Sequence, residues 1–246
     1  KSSRLTRTRS SRTKMARFDT ILWDVDGTLL DFGAAEEAAI RSLFADFGLG
    51  LCTDAMLARY SEINRNYWRA LERGELTKAE ILTRRFEDFF AAEGISGPSP
   101  AEFNAAYQTR LGVTIVYRDG SDGLVASLRG EFRQYAVSNG TVAAQTRKLA
   151  RSGFDKLMDG IFLSEQIGHE KPAAEFFDAV FREIGEEKRG SSIIVGDSLT
   201  SDIEGANRAG IASCWYNPGG AENATGAKPD YEIRDLREIL EILRGK

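Results

Sequence analysis

Thr20 to Asp31 reads TILWDVDGTLLD, and this stretch constrains the chain more than any other. Thr20, Ile21, Leu22 and Trp23 are uncharged strand formers, which predicts a short strand buried on both faces. Asp24 and Asp26 follow at a spacing of two. In an extended segment such residues point the same way, so both acids can face one site at the strand's carboxyl end. Gly27 lets the backbone turn sharply there, and Thr28 adds a hydroxyl beside it. Open α/β sheets bind ligands at that end of their strands. Neighbouring carboxylates repel, so such a pair persists beside a cation or with a shared proton. Mg²⁺ answers that need, since it takes oxygen ligands and keeps water and substrate phosphate in its shell. The plainer alternative is an Asx-rich turn that merely ends a strand.

A chain of 246 residues, 42% of them hydrophobic, can bury one sizeable core or a core plus an insertion. No run of eighteen apolar residues occurs, which argues against a membrane partner. Cys52 and Cys214 lie far apart without metal-ligand spacing and fit ordinary buried thiols in a reducing cytoplasm. His169 is the single histidine, which excludes multi-histidine zinc sites. Residues 1–14 carry six basic side chains and no acid; the remainder sets 27 of the 33 basic residues against all 37 acidic ones, a net charge of −10. The segment reads as a basic leader before a natural start at Met15, with a transit peptide or a nucleic-acid arm as alternatives. An acidic body argues against nucleic acid as the main partner.

From 34 to 112 the sequence is helical throughout. Ile40, Leu43, Phe44 and Phe47 keep a 3.6-residue rhythm closed by Gly48, and Met56, Tyr60, Ile63, Tyr67 and Leu71 continue it on a second helix. Thr77 and Glu80 have capping-box spacing and open a third helix bearing Phe86, Phe89 and Phe90. A fourth runs from near Phe103 to Leu111, after Pro98 and Pro100. Residues 34–112 are therefore expected to form a four-helix cap inserted into a core made of 15–33 and 113–246. In the core, apolar strands are expected at 134–137, 161–163, 192–195, 211–215 and 231–233, with helical stretches between them. That alternation predicts an α/β fold with a Rossmann-like parallel sheet covered on both faces.

Three later strand ends carry polar groups where the first carries its acids. Ser138 and Asn139 supply a hydroxyl and an amide suited to gripping a phosphoryl oxygen, or a plain Ser-Asn-Gly turn. Lys171 precedes Pro172, which biases it to an extended backbone; it can neutralise a phosphoryl group, though a loop lysine is more often simply solvated. Gly196-Asp197 and Asp202 add carboxylates after a further strand: Asp197 stands where a metal ligand would, and Asp202 could cap the next helix or support the ligands from behind.

Taken in order, DxDGT, Ser-Asn, Lys-Pro and GDxxxxD, each after an apolar strand, resemble the four motifs of the haloacid dehalogenase-like superfamily, in its phosphatase branch with a second Asp. The phrases EINRNYW, GELTKAEILTRRF and GDSLTSDIEGANRAGIASCWYNP are similar to its pyrimidine 5′-nucleotidase (house-cleaning nucleotidase) branch over nearly everything after Met15. The resemblance implies that Asp24 is the nucleophile and Asp26 the general acid/base, with Ser138 and Lys171 binding the transferring phosphoryl group. It also implies Mg²⁺ held by the Asp24 carboxylate, the Asp26 backbone carbonyl and Asp197. Asn64, Tyr67, Trp68, Arg84 and Phe86 in the cap could stack on or hydrogen-bond a base, although an aromatic at helical spacing is more often core. The expected substrate is a small phosphorylated metabolite, a pyrimidine nucleoside 5′-monophosphate first. The rivals are a broad small-metabolite phosphatase of the phosphoglycolate or sugar-phosphate type and a non-catalytic binding protein.

Overall fold

Residues 18–245 are described by the computed structural model; the basic leader expected over 1–14 lies outside them. Among the described residues, six strands form one sheet: β1 (Thr20–Trp23), β2 (Arg133–Ser138), β3 (Gly160–Leu163), β4 (Ser192–Gly196), β5 (Ala212–Tyr216) and β6 (Tyr231–Ile233). All pair in parallel, in the order β3-β2-β1-β4-β5-β6. The expected strands coincide with these to within a residue or two. Successive side chains of β1 go to opposite faces. Ile21 and Trp23 join Val195, Cys214 and Leu149 on one side, while Leu22 joins Val137, Ile194 and Phe177 on the other. A strand buried on both faces has no place for a charge, which is why the apolar run precedes Asp24 without interruption.

Between β1 and β2 lie α1 (Phe32–Asp46), α2 (Asp54–Glu72), α3 (Lys78–Glu93) and α4 (Pro100–Leu111). Thr77 and Ser99 close capping boxes with Glu80 and Glu102, so each helix start satisfies its own orphan amides. These helices bury a separate aromatic core: Tyr60 stacks on Phe86 at 5.1 Å between centroids, and Phe103 and Tyr107 meet Phe86 edge-on. One buried polar chain crosses it. Glu36 accepts from Asn64 at 2.7 Å, and Arg85 donates to Asn64 at 2.8 Å and to Asn104 at 2.9 Å. The buried charges are thus paired through amides.

The remaining helices are α5 (Ser121–Leu128), α6 (Val142–Ser152), the one-turn α7 (Ser164–Ile167), α8 (Ala174–Ile184), α9 (Glu204–Ala209) and α10 (Ile239–Leu243). Side chains of α5, α6 and α10 cover the Trp23 face of the sheet, and those of α8 and α9 the Leu22 face. Because β2 lies on one side of β1 and β4 on the other, the strand order reverses at β1 and a crevice opens at its carboxyl end. No helix among the described residues is long and apolar enough to cross a membrane.

Candidate active site

Strand pairing runs one residue past Trp23, where Asp24 N donates to Val195 O at 2.9 Å. The chain then turns: Leu30 N reaches back to Val25 O at 2.9 Å and Gly27 N to Leu30 O at 2.8 Å. Gly27 sits at φ +95°, and a Cβ there would lie 2.5 Å from Asp197 Oδ2. Only glycine serves both the turn and that close approach.

Asp24 is buried at the floor of the crevice. Its Oδ1 accepts from Lys171 Nζ at 2.8 Å, while its Oδ2, also buried, has no hydrogen-bond partner. The ammonium of Lys171, fully buried, also donates to Asp202 Oδ1 at 2.6 Å and to Val137 O at 3.0 Å. Its three donors are therefore all used. Carboxylate oxygens of Asp24, Asp197 and Asp202 lie within 4.8 Å of one another. Trp215 Nε1 holds the Asp197 carbonyl at 3.0 Å, and Thr28 Oγ1 accepts from Asp197 N at 3.0 Å. Asp202 does not cap a helix. Ser198 has that place, at the head of the wide turn Leu199–Ile203, and Asp202 Oδ2 instead accepts from Ser198 N at 3.1 Å.

Burial pushes the Asp24 carboxyl up to about 7; Lys171 opposes that rise and Asp202 adds to it. Asp197 is exposed at its outer edge, yet the walls enclosing it and then the charge of Asp24 hold it well above the carboxylate range. Burial lowers the affinity of Lys171 for its proton, but Asp202 and Asp24 reverse this and leave it above its ordinary value. An unpartnered buried oxygen among crowded acids fits a hard divalent cation, which would take the lone pairs and offset the repulsion. A folded-state value near 7 against an unfolded one near 3.8 means that the folded protein binds the extra proton between those pH values. The stability this contributes is present below about pH 4 and is lost as pH rises through 7. Metal-free protein is therefore expected to melt lower at pH 8 than at pH 5, and millimolar Mg²⁺ to recover the difference. Melting that rises over that range without metal contradicts this account of the cluster.

Several expectations need correction. The backbone is turning at Asp26, and although both acids line one cavity their carboxylates have different partners. Asp26 lines the cavity, but its carboxylate is bonded to Lys148 Nζ and Gln145 Nε2 of α6 and stands apart from the acidic cluster. Ser138 is buried; its Oγ accepts from Gly140 N at 3.0 Å, and its O–H finds no acceptor among the described residues. Asn139 spends both ends of its carboxamide on the Lys171 backbone, donating to Lys171 O at 2.8 Å and accepting from Lys171 N at 2.9 Å. It fixes the lysine loop, which leaves the second N–H of its carboxamide, at the cavity wall, as the donor it can still offer.

The cavity of about 200 Å³ over Asp24 is walled by Phe32, Trp68, Ser138, Lys171 and Asp197. A wider space of about 640 Å³ adjoins it, sharing Phe32, Trp68 and Glu72, and Asn64 reaches its wall. Of the five cap residues singled out, only Trp68 and Asn64 come to this cleft. Tyr67 is one residue round the α2 spiral and donates to Asp88 on α3 at 2.6 Å. Arg84 lies on the outer face of α3, paired with Glu80 one turn before it at 2.9 Å. Phe86 is fully buried in the cap core. Glu72 carries no motif in the sequence, although it follows Trp68 by four on the same face of α2. Its Oε2 accepts from Thr200 Oγ1 at 2.7 Å, tying helix to core, and burial raises its carboxyl. Gln145 and Lys148, three apart on α6, carry no local sequence signal that points to the site.

Comparison with known proteins decides the family. The profile described as haloacid dehalogenase-like hydrolase matches residues 18–210. The chain belongs to the haloacid dehalogenase-like hydrolase family. This hydrolase is 39% identical over 229 residues to HAD-hydrolase YfnB of Bacillus subtilis, covering 93% of this chain and 97% of that one. It is 35% identical over 226 residues to pyrimidine 5′-nucleotidase PynA of Streptococcus pneumoniae, covering 91% and 94%. Glyceraldehyde 3-phosphate phosphatase of Methanopyrus kandleri is 30% identical over 233 residues, covering 91% and 96%. The crystal structure of YfnB, described as bound to magnesium and as revealing interdomain movement, superposes with a TM-score of 0.85 at 38% identity, covering 92% and 99%. The chain is accordingly an enzyme, a hydrolase of the phosphatase kind on a Rossmann-like α/β core.

Proposed function

We propose that this enzyme is a Mg²⁺-dependent phosphomonoester hydrolase working through an aspartyl-phosphate, with nucleoside 5′-monophosphates, pyrimidines first, as substrates. The observation that carries it is the Asp24 carboxylate: one oxygen on Lys171, the other buried without a partner, both at the floor of a cavity beside Asp197. The likeness to a magnesium-bound structure and to a pyrimidine nucleotidase supports the cation and the substrate class. Asp24 and Asp197 would hold the ion, with the Asp26 carbonyl as the resemblance implies. Once bound it supplies Lewis-acid charge at the phosphoryl oxygens.

A carboxylate approaching a phosphate dianion meets repulsion of about 4 kcal/mol per pair of unit charges at 4 Å and an effective dielectric near 20. Lys171, buried and charged, opposes that repulsion from below. The free Ser138 O–H donates to an equatorial oxygen. Asp24 then bonds to phosphorus as the ester bond breaks, and Asp26 gives its proton to the departing oxygen. In the second half Asp26 takes a proton from water, whose oxygen displaces Asp24 and releases inorganic phosphate.

Residues 34–112 serve in this reading as a cap over a core of 15–33 and 113–246, closing on the substrate and excluding water. The Trp68 ring, half-buried between the two cavities, offers the face on which a base stacks. A second reading, a sugar-phosphate phosphatase, is favoured by the Methanopyrus relative, and one assay separates the two. Phosphate release from UMP, dUMP, dTMP, AMP and simple sugar phosphates, with Mg²⁺ and then with chelator, is expected to rank the pyrimidine nucleotides first and to stop without metal. Equal rates across the set would remove base reading by the cap.

A further inference from the structure

We propose that Lys148 and Gln145 of α6 are positioning residues for Asp26, fixing where its carboxyl can deliver and collect a proton. This rests on the reading of Asp26 as general acid and base. Each oxygen of the Asp26 carboxylate is held from α6: Lys148 Nζ bonds Oδ1, and Gln145 Nε2 bonds Oδ2. Both anchors are buried, Lys148 at 2% exposure and Gln145 at 0%. An ammonium in such a place is costly unless paired, and packing alone would be served by leucine or methionine. The other close neighbour of Lys148 Nζ is the Phe32 ring, 5.8 Å away, and its hydrogen-bonding partner among the described residues is Asp26.

The approach of Gln145 is cleared by Gly140, where a Cβ would lie 2.3 Å from Gln145 Nε2. Gln145 Oε1 is buried without a partner, so the bond to Asp26 is what orients the carboxamide. α6 itself is fixed at three points. Leu149 packs into the sheet core and Ala144 against the aromatic cluster of α1–α4. Thr141 accepts from Ala144 N at 3.3 Å and donates to Gln108 Oε1 on α4 at 2.8 Å. Asp26 is thereby tied to the helix on which α4 rests. Each carboxylate oxygen keeps a second lone-pair direction, so an ester oxygen or a water can be met while the anchors stay.

Both proton transfers need that carboxyl at one point, first to protonate the oxygen leaving phosphorus, then to take the proton of the attacking water. A displacement of about 1 Å costs roughly 10²-fold in rate. The test compares K148M and Q145L in the wild-type and D26N backgrounds. It reads kcat/KM for the fastest alkyl phosphate of the panel above and for p-nitrophenyl phosphate, whose phenolate leaves without a proton. Each substitution is expected to lower kcat/KM about 10- to 100-fold on the alkyl ester, about threefold or less on the aryl ester, and no further in D26N. Equal losses on both esters, a loss undiminished in D26N, or no loss at all overturns the proposal. Should K148M not fold, Q145L carries the same cycle alone. A wild-type enzyme that hydrolyses neither ester defeats the phosphatase reading instead, which keeps the two failures apart.

Discussion

Asp24→Asn is expected to lower kcat by roughly 10⁴-fold or more, the scale of losing a covalent nucleophile, while the fold persists. The substitution is close to isosteric and leaves Lys171 its bond to Asp202, so the buried ammonium is not stranded. It also removes one negative charge from three crowded carboxylates, of which Asp24 and Asp197 are raised by burial. The metal-free variant should therefore melt no lower than wild type at pH 7, and its dependence of melting on pH should be shallower. Mg²⁺ should stabilise it less. Retained hydrolysis of phosphate esters near the wild-type rate would falsify the assignment of Asp24 as nucleophile. A collapse of melting temperature alongside lost activity points instead to a structural role.

Asp26 presents the second large effect. Its replacement by alanine should slow hydrolysis of an alkyl phosphate by roughly 10²- to 10⁴-fold, the usual contribution of a positioned acid and base. The loss on an aryl phosphate should be smaller for the step in which the ester oxygen departs. Asp26→Ala carries a complication that the sequence does not reveal. It strands the Lys148 ammonium, which is 2% exposed and has its hydrogen bond to Asp26. Removing one partner of a buried ion pair costs on the order of 3 kcal/mol. Asp26→Asn keeps an acceptor oxygen for the lysine and so separates lost chemistry from lost stability. The comparison is made by measuring melting temperature and kcat/KM on both variants. Equal activity losses with unequal melting would assign the rate effect to proton transfer.

What was legible followed from spacing along the chain. An apolar strand ending in paired acids, a capping box at Thr77, and aromatic residues at helical intervals are local patterns, and local patterns fix local structure. The convergence of Lys171 on Asp24 was legible too, because parallel strands bring their carboxyl ends to one edge whatever lies between them. Partner choice was not. Asn139 has the composition of a phosphate grip, yet both ends of its carboxamide meet the Lys171 backbone 32 residues on. Tyr67 and Trp68 differ by one position, and the turn of α2 sends one to Asp88 and the other to the cleft.

By itself the sequence determined the sheet, its helical insertion, and the edge at which reactive groups gather, because hydrophobic period and turn chemistry act over a few residues. Tertiary structure alone decided that the Asp26 carboxylate meets α6, where Lys148 and Gln145 hold it. A turn of four residues sets the direction of a side chain, and what stands in that direction comes from a helix more than a hundred residues later.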